Sequence, residues 1–411
     1  MKSAVRRAEP WVRVIRKAPE PRRGGASIHS KKIHLAALTQ AGILEWLREN
    51  RPSRLQELYA HADRVRRGHV GDAVHLRGLI EISNHCERQC MYCGLRRANR
   101  DLVRYRMSRE EILGCARQAE SLGYGTVVIQ AGEDDALTAE WIAAIVRSIK
   151  SETALAVTLS LGERSLQEIE LWRAAGADRY LLRFETSDER LYRAIHPERA
   201  QGSPNRIAML RQIKQLGYEA GGGVMVGIPG QSYESLANDI LTFAELDLDM
   251  IGIGPYIAHP RTPLGSGMLC PPIDEANQVP ATEEMVYKMV ALARIACPTA
   301  NLPSTTALAT INKTHGRKQG LLVGANVVMP NVTPLEYRRL YEIYPAKACI
   351  DETAKDCQAC LNAQIRPLGR FPASGPGGRK RSDVPRAAVS FDPWAAADEL
   401  GASTLVQLQL E

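Results

Sequence analysis

From residue 74 onward, short apolar runs alternate with longer amphipathic stretches, the pattern of repeated βα units around a parallel sheet. Eight runs read as strands: HLRGLIEIS (75–83), TVVIQAG (126–132), LAVTLSL (155–161), RYLLRFE (179–185), GGVMVGI (222–228), MIGIGPY (250–256), LPSTTAL (302–308) and ANVVMP (325–330). Helical segments fill the gaps. The first opens with Ser108 and Glu111 at capping-box spacing, and its face of Ile112, Cys115, Ala119 and Leu122 is apolar, so Cys115 is read as core. Several helices stop at glycine, in SLGYG, RAAGAD and KQLGYE, where a left-handed cap is needed before the next strand. Eight strands at this spacing predict an α/β fold, a (βα)8 TIM-type barrel over residues 74–335, with its active site built from the loops that follow the strands.

The flanks read differently. Residues 39–73 form a helical preamble, with Ile43, Leu44, Trp46 and Leu47 and then Leu55, Leu58 and Tyr59 at helical spacing. Residues 1–38 are a basic, flexible extension. Residues 336–368 are a C-terminal segment with its own cysteines, and residues 369–411 a Gly/Pro/Arg-rich, weakly structured tail.

A chain of 411 residues, 45% hydrophobic and 24% charged, suits one large barrel with extensions at least as well as two average domains. No run approaches the roughly 18 apolar residues of a membrane span, and the start lacks the apolar core of a secretory signal. A soluble protein is expected, with no membrane partner. The formal charge of +7 is concentrated in MKSAVRRAEPWVRVIRKAPEPRR and GPGGRKR, which solvated tails explain more simply than a nucleic-acid site. An Arg-rich organelle transit peptide stays open for the start, with Glu9 and Glu20 against it. Nine cysteines, six of them in two tight clusters, speak against a disulfide framework and for a reducing, low-oxygen, cytoplasmic setting.

The first cluster carries the chemistry. Cys86, Cys90 and Cys93 in ISNHCERQCMYCGLRR sit in the loop after strand one, with Tyr92 just before the last of them. Three thiolates leave one iron of a four-iron cube open, which is what a radical S-adenosylmethionine (SAM) enzyme needs to chelate its cosubstrate. Zinc is the competing reading, but zinc sites want a fourth ligand and usually draw on separated pairs. The iron–sulfur reading is favoured.

The long run from about Leu79 to Leu368 resembles the HydE family, radical SAM maturases of [FeFe]-hydrogenase that are related to biotin synthase and methylornithine synthase. The resemblance is carried by CGLRRAN, RYRMSREEI, QAGED, VTLSLGE, AGADRYLLRFET, GVMVGIPGQ, DMIGIGPYIAHPRTPL, STTAL, GANVVMPNVTP and YRRLYEIYP. It implies a [4Fe-4S] cluster on Cys86, Cys90 and Cys93 and SAM held by Tyr92, Gln130, Gly132, Glu133, Thr158, Ser160, Glu185, Arg206 and Met250. Glu185 would accept from the SAM ammonium and Arg206 would fork onto its carboxylate. Deeper in the barrel, the substrate would meet Arg179 or Arg183, then Thr305, Thr306, Met329, Tyr341 and Tyr344. Tyr341 and Tyr344 read equally well as a helical pair packing on the barrel.

The substrate implied is an anionic, cysteine-bound iron fragment with carbon monoxide and cyanide, delivered by another maturase, and the electron would come from a reductant such as a ferredoxin or flavodoxin. Cys349, Cys357 and Cys360 resemble an accessory site found in part of the family, which implies a second cluster, [2Fe-2S] or [4Fe-4S]; unmetallated thiols and a structural zinc stay open. Cys270 and Cys297 read as packing or surface residues. The glycines of GGGVMVGIPG lie within and after a strand, with no GxGxxG opening a helix, which rejects a dinucleotide site. Loop rigidity explains His259 as well as catalysis does. Ala131, Phe184 and Leu308 stand where the family has serine, histidine and often methionine. Ala131 and Phe184 leave the exact substrate open, and an amino-acid mutase of the methylornithine synthase type is the alternative; the two cysteine groups alone would also suit a more distant alternative, an iron–sulfur carrier or scaffold.

Overall fold

The computed structural model describes residues 38–198, 202 and 205–380. The basic N-terminal extension and the tail beyond residue 380 lie outside the described residues. Two helices come first, α1 (Gln40–Arg48) and α2 (Pro52–Val70). The Thr39 hydroxyl caps α1, and Ile43, Trp46 and Leu47 bury its inner face. Both helices pack on α9 (Glu283–Ala296), which is buried from Met285 to Ala296 because it is covered on its outer side as well.

The barrel starts at β1 (Ala73–Ser83) and continues through β2 (Thr126–Ala131), β3 (Ala156–Ser160), β4 (Arg179–Leu181), β5 (Glu219–Val226) and β6 (Met250–Pro255). Neighbours pair in parallel, and β7 (Val327–Val328) pairs with β1 on its other side. Between them run α3 (Arg109–Ser121), α4 (Ala139–Glu152), α5 (Leu166–Ala174), α6 (Glu189–Ile195), α7 (Arg206–Gln215) and α8 (Tyr233–Glu245). The Ser108–Glu111 capping box forms, and Cys115 is buried in the core.

The seventh strand expected at 302–308 is the element that differs most. It shrinks to bridges from Asn301 to Met250 and from Pro303 to Val327, which still close the ring between β6 and β7. The chain then turns into α10 (Thr306–Ile311), because the Thr305 hydroxyl accepts from the Leu308 amide as a helix cap. Asn326 fixes the short strand: its Nδ2 donates to Asn301 Oδ1 at 2.9 Å, and its Oδ1 accepts from Leu302 N at 2.9 Å. Helix α11 (Gly316–Leu322) lies between α10 and β7, and α12 (Leu335–Arg338) and α13 (Ala354–Ile365) follow.

Residues 371–380 were expected in a weakly structured tail, yet they fold beneath the barrel. There β8 (Phe371–Pro372) pairs with the start of β1. Beyond it, Pro376 O accepts from Thr126 Oγ1 at 2.8 Å and Arg179 Nη2 at 2.9 Å, and Gly377 O accepts from Arg77 Nη2 at 3.1 Å. Arg379 closes the segment onto Asp247, 2.7 Å from Nη2 to Oδ1. Backbone carbonyls of the segment thus add acceptors for Arg77 and Arg179, two arginines buried at the barrel base.

Candidate active site

The loop after β1 is braced from several sides before any ligand is considered. Glu87 N donates to Glu133 O at 2.9 Å, Gly94 N to Ile343 O at 3.0 Å, and Met91 N to Ile195 O at 2.9 Å. Asn84 Nδ2 reaches Leu340 O at 2.8 Å, and Arg104 donates to the carbonyls of Leu95, Arg96 and Asn99. Gly132, after β2, lies so close that a Cβ there would meet His85 O at 2.1 Å and Cys86 Cβ at 2.8 Å. The glycine of QAGED is therefore required by the approach of the cysteine loop.

Cys86, Cys90 and Cys93 share one cavity of about 1200 Å³ at the C-terminal mouth of the barrel. Burial, with contributions from neighbouring thiols and carboxylates, pushes the Cys90 thiol up to about 12 and raises Cys86 and Cys93 as well. A bound metal reverses that preference, since a coordinating thiol is held deprotonated. Three thiols lining one open cavity fit a four-iron cube with one corner free.

Of the residues the resemblance implies for SAM, Tyr92, Gln130, Gly132, Glu133, Ser160, Glu185 and Arg206 line this outer cavity. Two members of the expected set do not. Thr158 lies two residues below Ser160 on β3, fully buried, with its Oγ1 unpartnered. Met250 opens β6 and so sits deep in the barrel, its Sδ accepting from Arg77 Nη1 at 2.8 Å. Arg206 also differs from the open fork expected: Nε binds Glu163 Oε1 at 2.7 Å, Nη2 Glu133 Oε1 at 3.2 Å, and Nη1 the carbonyl of Arg183 at 2.8 Å. Arg88 completes the group, 3.1 Å from Nη1 to Glu163 Oε2. Two buried arginines and two buried carboxylates thus stand beside the cysteines. Arg88 and Glu163 were missed, although Arg88 lies within the cysteine motif and Glu163 closes VTLSLGE.

Glu185 adopts a left-handed backbone, φ 64°, unusual for glutamate, and its Oε2 pairs with Arg183 Nη2 at 2.9 Å. Tyr92 OH lies 2.8 Å from Nε2 of His196, a residue the sequence did not single out. Burial, reinforced by Arg206 and Arg88, holds His196 neutral well below the usual histidine range. Ala131 lines the outer cavity, whereas Phe184 packs on Phe243 outside the barrel and Leu308 is buried in α10. His259 packs under Gly94, where a Cβ would meet its Nε2 at 2.6 Å.

A second, inner cavity of about 1020 Å³ shares Gln130, Leu181, Arg183, Ala307 and Tyr344 with the outer one. Thr305, Thr306, Met250 and Met329 line it, whereas Tyr341, expected with them, lines the outer cavity, its hydroxyl accepting from Gln130 Nε2 at 3.2 Å. A buried ion pair missed from sequence also faces it: Lys347 Nζ binds Glu81 Oε1 at 2.7 Å, and Asn331 Nδ2 donates to Glu81 Oε2 at 2.8 Å. Arg179, the other arginine considered for the substrate, is at the barrel base against Glu219 and the 371–380 segment.

Of the second cysteine trio, Cys349 and Cys357 line the inner cavity and come together with Glu352, all three donor atoms lying within 4.8 Å. A hydrogen bond from the Cys357 thiol, helped by Arg317, holds Cys349 below the ordinary thiol range. Cys360 is exposed and its Sγ accepts from Gln364 Nε2 at 3.1 Å, because three residues along a helix turn a side chain about 60° away from its predecessor.

Comparison with known proteins matches this geometry. A radical SAM superfamily model matches residues 80–243. The [FeFe] hydrogenase maturase subunit HydE of Thermotoga maritima is 45% identical over 351 residues, spanning 85% of this chain and 97% of its own. The 3-methylornithine synthase of Methanosarcina acetivorans is 27% identical, over 78% of this chain and 86% of its own. Among solved structures, methylornithine synthase superposes with a TM-score of 0.68 at 23% identity, over 82% of this chain and 95% of its own. HydG, a maturase of the [FeFe]-hydrogenase, gives 0.67 at 16% identity, over 82% and 73%. These two structures share the fold. Given the cysteine loop at the mouth of the barrel and the near full-length match to the Thermotoga protein, the chain belongs to the HydE family of radical SAM enzymes.

Proposed function

We propose that the outer cavity cleaves SAM and that the radical is spent in the inner cavity on a small, anionic, thiolate-bound iron fragment of the kind acted on in [FeFe]-hydrogenase maturation. The contiguity of the two cavities through Arg183 and Tyr344 carries this reading. When bound, the cluster and SAM supply an electron and a 5'-deoxyadenosyl radical. Cys86, Cys90 and Cys93 would hold the cluster, and Tyr92, Gln130, Glu133, Ser160 and Glu185 would hold SAM. Arg206 and Arg88 hold Glu133 and Glu163 in place through buried ion pairs. Below them, Arg183, Arg317 and Lys347 offer positive charge, Thr305 and Thr306 hydroxyl donors, and Met250 and Met329 soft walls that exclude water. A reductant and other maturases are the proposed partners.

The test is anaerobic reconstitution, reduction and addition of SAM, with 5'-deoxyadenosine measured alone, with an iron–carbonyl–cyanide–cysteine complex, and with lysine. The iron complex should raise turnover and be consumed. Turnover of lysine alone would instead favour the amino-acid mutase reading. A second metal site at Cys349 and Cys357 is also proposed; it predicts iron retained after reconstitution when Cys86, Cys90 and Cys93 are all changed to serine, and loss of that iron on adding Cys357→Ser.

A further inference from the structure

Between Cys90 and Cys93 the chain makes a turn of two residues, Met91 and Tyr92. Its backbone is held at Met91: the Met91 amide donates to Ile195 O at 2.9 Å, and its carbonyl accepts from Leu264 N at 3.0 Å. Its side chains lean on an apolar cluster that includes Leu191, Ile195, Met225 and Tyr256. The polar end of the Tyr92 ring is held by His196, with Nε2 2.8 Å from the hydroxyl and the rings edge to face at 5.2 Å. The imidazole also stacks on Tyr192 at 4.4 Å, so one face and the Nε2 edge of the ring are both held. Tyr192 in turn lies under the Arg206 guanidinium, which binds Glu133 and Glu163.

The direction of the Tyr92 bond follows from counting unmatched groups. His196 is 2% exposed and its Nδ1 has no partner. If Nε2 donated, the phenol proton would lose its acceptor while Nδ1 kept an unused lone pair. If the phenol donates, the hydroxyl and Nε2 satisfy each other and one N–H alone is left over.

We propose that His196 is a positioning residue for radical generation: acting through Tyr92, it fixes the turn between two cluster ligands so that SAM meets a wall already in shape. This rests on the reading of the outer cavity as the cluster and SAM site. The mechanism is preorganisation, since a turn that need not be ordered by the ligand costs less when the ligand binds.

The test compares Tyr92→Phe, His196→Phe, His196→Gln and the Tyr92→Phe/His196→Phe double variant of the full chain, reconstituted anaerobically. Iron content, the EPR spectrum of the reduced cluster and the SAM dissociation constant are measured. Each single Phe variant should keep its iron and its SAM-free spectrum and bind SAM about tenfold more weakly, the loss expected of one buried hydrogen bond. The double variant should be no weaker than either single one. His196→Gln, which restores an acceptor, should recover most of the affinity. Unchanged SAM binding in either Phe variant overturns the inference, as does additivity in the double variant. So does loss of iron in His196→Phe when Tyr92→Phe retains it, because His196 would then be supporting the loop by packing alone. A wild-type spectrum indifferent to SAM would overturn the site reading as well, which separates the two failures.

Discussion

Asp239 on α8 carries a carboxyl with no exposure to water, whose Oδ1 accepts from Ser187 N at 2.6 Å and Ser187 Oγ at 2.7 Å while Oδ2 has no partner. Burial outweighs those bonds and pushes its pKa up to about 7 from 3.8. Between these values the folded state binds the proton more tightly than the unfolded chain, so this group costs stability as pH rises and the cost levels off above pH 7. Asp239→Asn, which keeps an oxygen for Ser187, should therefore gain on the wild type by about 2 kcal/mol between pH 5.5 and pH 8 in urea unfolding. A gap that stays flat with pH would contradict the assignment. Glu163→Gln acts in the opposite sense, because Arg88 and Arg206 both lose a charged partner in a buried group. It should cost about 3 kcal/mol by the same measurement.

At this level the cysteines were legible because their spacing is local, whereas Arg88, Glu163 and His196 come from three separate segments that only the fold brings together. Arg179 and Met250 show a different limit. Both begin their strands, and the first residue of a barrel strand lies near the base, however well its chemistry suits the mouth.

Among the elements, the loop from β2 to α4 is shaped by its neighbour more than by its own propensity. Gly132→Ala would drive a methyl group into His85 O. Reconstituted protein should then lose most of its iron while far-UV circular dichroism stays like the wild type, and full iron loading would refute the role given to that contact. Helix α3 depends instead on its local sequence: Ser108→Ala removes the acceptor for Glu111 N and should lower stability by about 1 kcal/mol in chemical denaturation. Capping boxes and glycine stops made the helix boundaries readable. The seventh strand misled because LPSTTAL is apolar enough for a strand, and only the Thr305 cap shows where the helix takes over.

The molecule as a whole is closed at the base by residues 371–380, a segment whose glycines and prolines read as a tail. Its order comes from arginines and carboxylates supplied by the barrel: Arg77, Arg179, Glu219 and Asp247. Sequence composition cannot reveal such borrowed stability. Ending the chain at Gly369 should lower the melting temperature by several degrees, and Arg379→Ala by less, in calorimetry of the metal-free protein. Equal melting temperatures for all three chains would show that the segment adds nothing.

Access to the inner cavity carries a prediction about the order of events. Arg183 and Tyr344 line both cavities, and the 371–380 segment packs on the arginines at the base of the barrel. If the proposed substrate reaches the inner cavity through the outer one, it enters before SAM is bound there. The predicted order of loading is substrate first. Premixing the enzyme with saturating SAM should slow the first turnover relative to premixing with substrate, and stopped-flow traces that do not depend on the order of mixing would refute that sequence.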